Sequence, residues 1–189
     1  MPMNDNLKAI KQLLSERLCE KRYRHSLNVA DEARRLAEIF GEDPEKAYFA
    51  GLVHDICKDE PKEEQLQRIR NSAIIWDDKA LGQPSLWHAM AGSIFIREEL
   101  NVQDEDIINA VRYHTTARAG MSRLEKIVYL ADLTSADREY SDVETVRALA
   151  RASLEKAMLY GLQYIISDLV AHKSPIVDDT VEAYNEYVA

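Results

Sequence analysis

Apolar residues recur at helical spacing from one end of the chain to the other, and alternating stretches of the kind that build half-buried strands are scarce. Leu7, Ile10, Leu13 and Leu14 outline a first helix, and Tyr23, Leu27, Ala30, Ala37 and Phe40 a second that Gly41 can end in the left-handed conformation. Asp43-Pro44 reads as an N-cap with proline at the first helical position, opening a helix through about Ile56. Glu60-Pro61 restarts the pattern to about Arg70, and 71–84, with Asp77-Asp78 and Gly82-Gln83-Pro84, reads as a loop. Further helices are expected over Ser85–Leu100 and Asp104–His114. Ser122-Arg123-Leu124-Glu125 and Ser141-Asp142-Val143-Glu144 match the capping-box pattern and predict helices to about Leu133 and about Ala171. Ser174-Pro175 then breaks the pattern, and 179–187 adds a terminal helix. Six glycines and five prolines in 189 residues are about half of average usage, which leaves little room for a many-stranded fold. The expected architecture is an all-α bundle forming a single domain over 1–189, with a core at about 20–140 and a helical extension at about 141–189.

Net charge limits the partners. The chain carries −9, which argues against a general binder of nucleic acid or acidic membrane, whose affinity would come from a broad basic surface. Apolar runs such as 47–53 fall far short of the roughly 18 residues of a membrane span. The start, Met1-Pro2-Met3-Asn4-Asp5, lacks the basic and apolar regions of a signal peptide, and Cys19 and Cys57 form no CxxC. A cytoplasmic protein with reduced thiols is expected.

The histidines carry the functional information. Ala47, Ala50, Gly51 and His54 share one helix face, as do His88, Ala91, Gly92 and Phe95, and Ile107, Ala110, Val111 and His114. His25 lies at the margin of its helix's apolar face, and Asp132 follows the apolar run 127–131. One histidine on an apolar stripe is usually a satisfied core residue. Four of them together with Asp55 and Asp132 are costly to bury unless paired or metal-bound. Imidazole with carboxylate suits iron, manganese or zinc, and a carboxylate can bridge two ions.

His25, then His54-Asp55, then Asp132 resembles the H…HD…D signature of the HD-domain metal-dependent phosphohydrolases. The blocks Arg24-His25-Ser26-Leu27-Asn28, Gly51-Leu52-Val53-His54-Asp55-Ile56-Cys57-Lys58, His88-Ala89-Met90-Ala91-Gly92, Tyr113-His114-Thr115-Thr116 and Tyr129-Leu130-Ala131-Asp132 are similar, in order, to the YqeK branch. The resemblance implies a helical enzyme that splits diadenosine tetraphosphate, a small-molecule nucleotide, symmetrically into two ADP. It implies that His25, His54, Asp55 and Asp132 hold one divalent ion and His88 and His114 a second, with Asp55 bridging. Iron is the first expectation, with manganese or another transition metal as alternatives. Two ions about 3.5–4 Å apart would activate a water and clamp phosphoryl oxygens.

A tetraphosphate facing a chain of charge −9 needs local cations. Lys58 and Arg118 are expected to take catalytic roles. Those two, Thr115, Thr116 and Arg138 are expected to bind substrate; guanidinium suits phosphate bidentately, and the threonines can alternatively cap their helix. Asp59 and Asp137 read as a helix-start residue and a surface charge, His172 as a helix-end charge, and Trp76 and Trp87 as core aromatics that could stack on adenine. The segment Leu133-Thr134-Ser135-Ala136-Asp137 departs from the lysine-x-Glu-Pro type common in the branch, and Ala117 stands where glycine is common. These departures bear on the polyphosphate pocket. Rival readings are an HD phosphohydrolase acting on another nucleotide, a non-catalytic nucleotide sensor, and a helical interaction module with core histidines. The presence of all six expected ligands argues against the sensor, and the long helix from 142 could cover the core or pair with a second copy as a homodimer.

Overall fold

The computed structural model describes residues 3–72 and 78–189, and among them every regular element is a helix. The elements are α1 (Met3–Arg17), α2 (Glu20–Phe40), α3 (Pro44–Val53), α4 (Lys62–Asn71), α5 (Asp78–Leu81), α6 (Trp87–Glu98), α7 (Glu105–Tyr113), α8 (Arg123–Thr134), α9 (Val143–Ala152), α10 (Leu154–Ala171) and α11 (Asp178–Val188). No helix among the described residues is long and apolar enough to cross a membrane. Trp76 and Asp77 lie outside the described residues.

Local chemistry sets most boundaries. Asp43 accepts hydrogen bonds from Glu45 N and Lys46 N, with Pro44 at the first position of α3, and Gly41 ends α2 at φ +69°. The Ser122 box is complete: Ser122 Oγ accepts from Glu125 N, and Glu125 Oε2 from Ser122 N. The Ser141 box does not form; Asp142 precedes α9 without a side-chain cap. The long helix expected over 142–171 is divided at Ser153, whose backbone is extended (φ −162°, ψ 122°) and whose hydroxyl caps α10 by accepting from Lys156 N. A lysine stands where the box needs a glutamate, so the sequence pattern carries no signal there. Helix α3 stops at Val53, which places His54-Asp55 at its C-terminal cap and in the following turn.

Two apolar clusters form the core. Around α8, Leu124, Ile127 and Leu130 pack with Val29, Ala33 and Leu36 of α2 and Met158 and Leu162 of α10. The second joins Leu52, Val53 and Ile56 to Ile94 and Ile96 of α6 and Leu14 of α1. Each fully buried Leu or Ile contributes about 1.5–3 kcal/mol of apolar burial. Helices α2, α3 and α7 supply side chains to both clusters. Close approach of α2 and α3 depends on Gly51, where a Cβ would fall 3.0 Å from the Ala30 Cα and 3.1 Å from the Val29 carbonyl.

Candidate metal centre

His25 from α2, His54 and Asp55 after α3, His88 in the first turn of α6, His114 at the end of α7 and Asp132 in the last turn of α8 converge. The imidazoles form a row: ring centroids are 5.3 Å apart for His25 and His54, 4.9 Å for His54 and His114, and 5.2 Å for His114 and His88. His54, Asp55, His88 and His114 are buried, and His25 lies at one end.

The orientation of each ring follows from its second nitrogen. Nδ1 of His54 donates to the Gly51 carbonyl at 2.7 Å, that of His88 to the Ser85 carbonyl at 2.8 Å, and that of His114 to the Val111 carbonyl at 2.7 Å. A carbonyl only accepts, so each Nδ1 carries the hydrogen and each ring turns its Nε2 inward, where that nitrogen offers a lone pair whenever the ring is neutral. Asp55 Oδ1 lies 3.2 Å from His88 Nε2 and 3.3 Å from His114 Nε2, while Oδ2 lies 3.7 Å from His54 Nε2. At the other end Asp132 Oδ1 is 2.9 Å from His25 Nε2 and 3.9 Å from His54 Nε2. The carboxylate of Asp55 thus faces the two halves of the row with different oxygens.

Lone pairs pointing at carboxylate oxygens in a buried space repel unless a positive charge lies between them. Burial pushes His54 and His88 down to about 4, so both are neutral at pH 7. Burial alone would raise Asp55 and Asp132, but cations beside them act the other way: the Lys58 ammonium lies 3.5 Å from Asp55 Oδ1, and His25 with Arg138 holds Asp132 well below the ordinary carboxylate range. His54 Nε2 and Asp55 Oδ1 are buried without a hydrogen-bond partner among the described residues. Three overlapping groups, His25-His54-Asp55, His54-His114-Asp132 and Asp55-His88-His114, each have ligand atoms within 4.8 Å of one another. The donor set fits divalent metal.

Of the expected substrate contacts, Lys58 and Thr115 lie at the His88 end. Lys58 Nζ is 2.8 Å from His88 Nε2 and 3.5 Å from Asp55 Oδ1, and Thr115 Oγ1 is 3.3 Å from His88 Nε2. Both line a cavity of about 370 Å³ that runs from His88 past Thr116 to Ile165 and Leu169 of α10. The Thr116 hydroxyl donates to the Ala117 carbonyl, within its own turn. Arg138, the remaining expected contact, braces Asp132, its Nε donating to the Asp132 carbonyl at 2.8 Å and Nη2 to Oδ1 at 2.5 Å.

Arg118, expected as a catalytic and substrate contact, is paired outside the histidine row. Its Nε and Nη2 hold both oxygens of Glu125 at 2.8 and 2.9 Å. Glu125 is fully buried, so the guanidinium neutralises a carboxylate inside the α8 capping box. Asp137 is exposed, as a surface charge should be, but it is not unpartnered: its Oδ2 lies 2.8 Å from His25 Nδ1 and its Oδ1 accepts from Asn28 Nδ2 at 2.9 Å. Asp59 takes the Cys19 N–H and pairs with Arg22, with no helix start of its own. Trp87 Nε1 donates to the Leu81 carbonyl, and His172 Nδ1 to the Asp168 carbonyl in an exposed turn. Sequence reasoning missed Arg147, which donates to the carbonyls of Thr134, Ser135 and Arg138 and so fixes the segment that carries Asp137. Nothing in its local spacing marks a loop clamp.

Comparison with known proteins agrees with this geometry. The HD domain family model matches residues 22–137. The symmetrical bis(5'-nucleosyl)-tetraphosphatase of Bacillus subtilis (strain 168) is 38% identical over 179 residues, 93% of this chain and 94% of that one. The protein of the same name from Halalkalibacterium halodurans is 38% identical over 175 residues, 93% of each chain. The crystal structure of a predicted HD superfamily hydrolase involved in NAD metabolism from Clostridium acetobutylicum superposes with a TM-score of 0.93 at 38% identity, over 96% of both chains. With its histidine row and HD pair set in that fold, the chain belongs to the HD domain family.

Proposed function

We propose that this chain is a metal-dependent hydrolase that splits diadenosine tetraphosphate symmetrically into two ADP. The observation that carries the reading is the row of four imidazoles whose Nε2 atoms converge on Asp55 and Asp132, in a chain that spans nearly the whole length of relatives named for that activity. His25, His54, Asp55 and Asp132 would hold one ion, and Asp55, His88 and His114 the other, with iron as the first assignment and manganese or another transition metal as alternatives. Bound divalent ions supply Lewis acidity to phosphoryl oxygens and make water a nucleophile at neutral pH.

The protein supplies the remaining steps. Asp55 carries its charge to both halves of the row through different oxygens. Lys58 gives up its contact with His88 Nε2 and turns its ammonium to the phosphate chain, one of the few cations placed against the site of an acidic protein. The Thr115 hydroxyl hydrogen-bonds a phosphoryl oxygen from the cavity wall, with Thr116 beside it. That cavity, apolar at Ile165 and Leu169, takes one nucleoside end of the substrate. Arg138 fixes the Asp132 carboxylate and faces the phosphates with its exposed edge.

The test is product analysis by ion-exchange chromatography after incubating anaerobically prepared protein with diadenosine tetraphosphate. Two ADP per substrate are expected. ATP with AMP would overturn the symmetrical cleavage, and intact tetraphosphate beside a hydrolysed mono- or cyclic nucleotide would overturn the substrate.

A further inference from the structure

The four imidazoles are not anchored alike. His54 and His114 end their helices and His88 begins one, so the carbonyls of Gly51, Val111 and Ser85 lie in last turns or ahead of a helix, where carbonyls lack intrahelical partners. His25 sits inside the 21-residue α2, where the neighbouring carbonyls already accept from the helix. Its Nδ1 must find an acceptor elsewhere, and it finds Asp137 Oδ2 at 2.8 Å, 112 residues along the chain.

Asp137 is itself held. Its other oxygen accepts from Asn28 Nδ2 at 2.9 Å, three residues beyond His25 on the same face of α2. Arg147 fixes the backbone on both sides through the carbonyls of Ser135 and Arg138. We propose that Asp137, braced by Asn28, is a positioning residue for the metal centre: it locks the His25 ring with Nε2 toward Asp132 and strengthens that nitrogen as a ligand. A carboxylate behind a ligating imidazole raises its basicity more than a carbonyl does, and loss of such a partner typically costs about 10–100-fold in metal affinity. Asp137 therefore sets the affinity of the ion at the His25 end alone. The inference rests on the two-ion reading above.

Mn²⁺ titration of metal-free protein, followed by loss of the free-ion electron paramagnetic resonance signal, separates the two. Wild-type protein is expected to bind two ions. Asp137→Ala should weaken one of them by about 10–100-fold and leave the other unchanged. Asp137→Asn keeps an acceptor oxygen for Nδ1 and should recover part of the loss, with Asn28→Ala showing a smaller shift. In a His25→Ala background, adding Asp137→Ala should cost nothing more, a result that a general effect on folding would not produce. Wild-type constants in Asp137→Ala, or equal weakening of both ions, would overturn the inference while leaving the metal centre in place. Failure of the wild-type chain to bind Mn²⁺ at all would overturn the metal reading and the inference with it.

Discussion

The two ends of the histidine row are built by different means. At the His88–His114 end the imidazoles are buried, turned inward by carbonyls three residues back, and joined by Lys58 and Thr115 at the mouth of a cavity. At the His25 end the ring depends on a carboxylate from a distant loop, and Asp132 depends on Arg138 of the same loop. One end is thus fixed by helix termini and the other by tertiary contacts. A site of the first kind forms once its helices form; one of the second kind needs the loop after α8 docked on α2. Loss of the shared carboxylate should damage both ends, and changes elsewhere should damage one.

The largest expected effect is therefore at Asp55, whose oxygens face both halves. Asp55→Ala should abolish metal retention and turnover together, measured by elemental analysis and product chromatography. Full activity in this variant would break the account. At the His88 end, Lys58→Ala should lower kcat by about 10²-fold, as expected for removal of one charged group that stabilises the transition state. Both ions should stay bound in that variant.

Acidity should expose the cost of the buried end. Unfolded imidazoles titrate near 6.5, whereas burial keeps His54 and His88 neutral down to about 4. Between those values the unfolded chain holds more protons, so stability contributed by the neutral rings is present above about 6.5 and is lost as the pH falls toward 4. His25 is raised: burial opposes this, and Asp132 outweighs it, so its contribution runs the opposite way and is complete below about 6.5. Two depressed groups against one raised group should lower the urea midpoint of the metal-free protein from pH 7.5 to pH 5. A higher midpoint at pH 5 would show that the His25 end dominates.

The smallest effect is expected in the turn after His114. Ala117 holds φ +58° although fully buried. Glycine there would relieve about 1–2 kcal/mol of left-handed strain and lose about 0.8 kcal/mol of methyl burial, with roughly 0.5–1 kcal/mol more chain entropy to overcome. Ala117→Gly should thus leave stability within about 1 kcal/mol of wild type, by chemical denaturation.

The same contrast explains what could be read from the chain. Helical periodicity marked the bundle and put His54, His88 and His114 on apolar stripes, because both signals repeat within a few residues. The Ser122 box and the Asp43-Pro44 start carry local chemistry and formed as expected. Ser153 escaped because a cap without its glutamate partner looks like any serine inside a helical run. The partners of Asp137 and Arg118 are hidden for a related reason: a charged side chain in a loop has the same sequence signature facing solvent, His25 or Glu125. Only the fold brings those partners together, across 112 residues for the first pair.

The central claim is that metal ions lie where the Nε2 atoms of the row converge on Asp55 and Asp132. Anomalous diffraction at the iron edge from anaerobically grown crystals tests it most directly. The account predicts two peaks flanking Asp55, one against His88 and His114 and the other against His25, His54 and Asp132. A centre that holds no metal in crystals of active protein, or peaks away from Asp55, would contradict it.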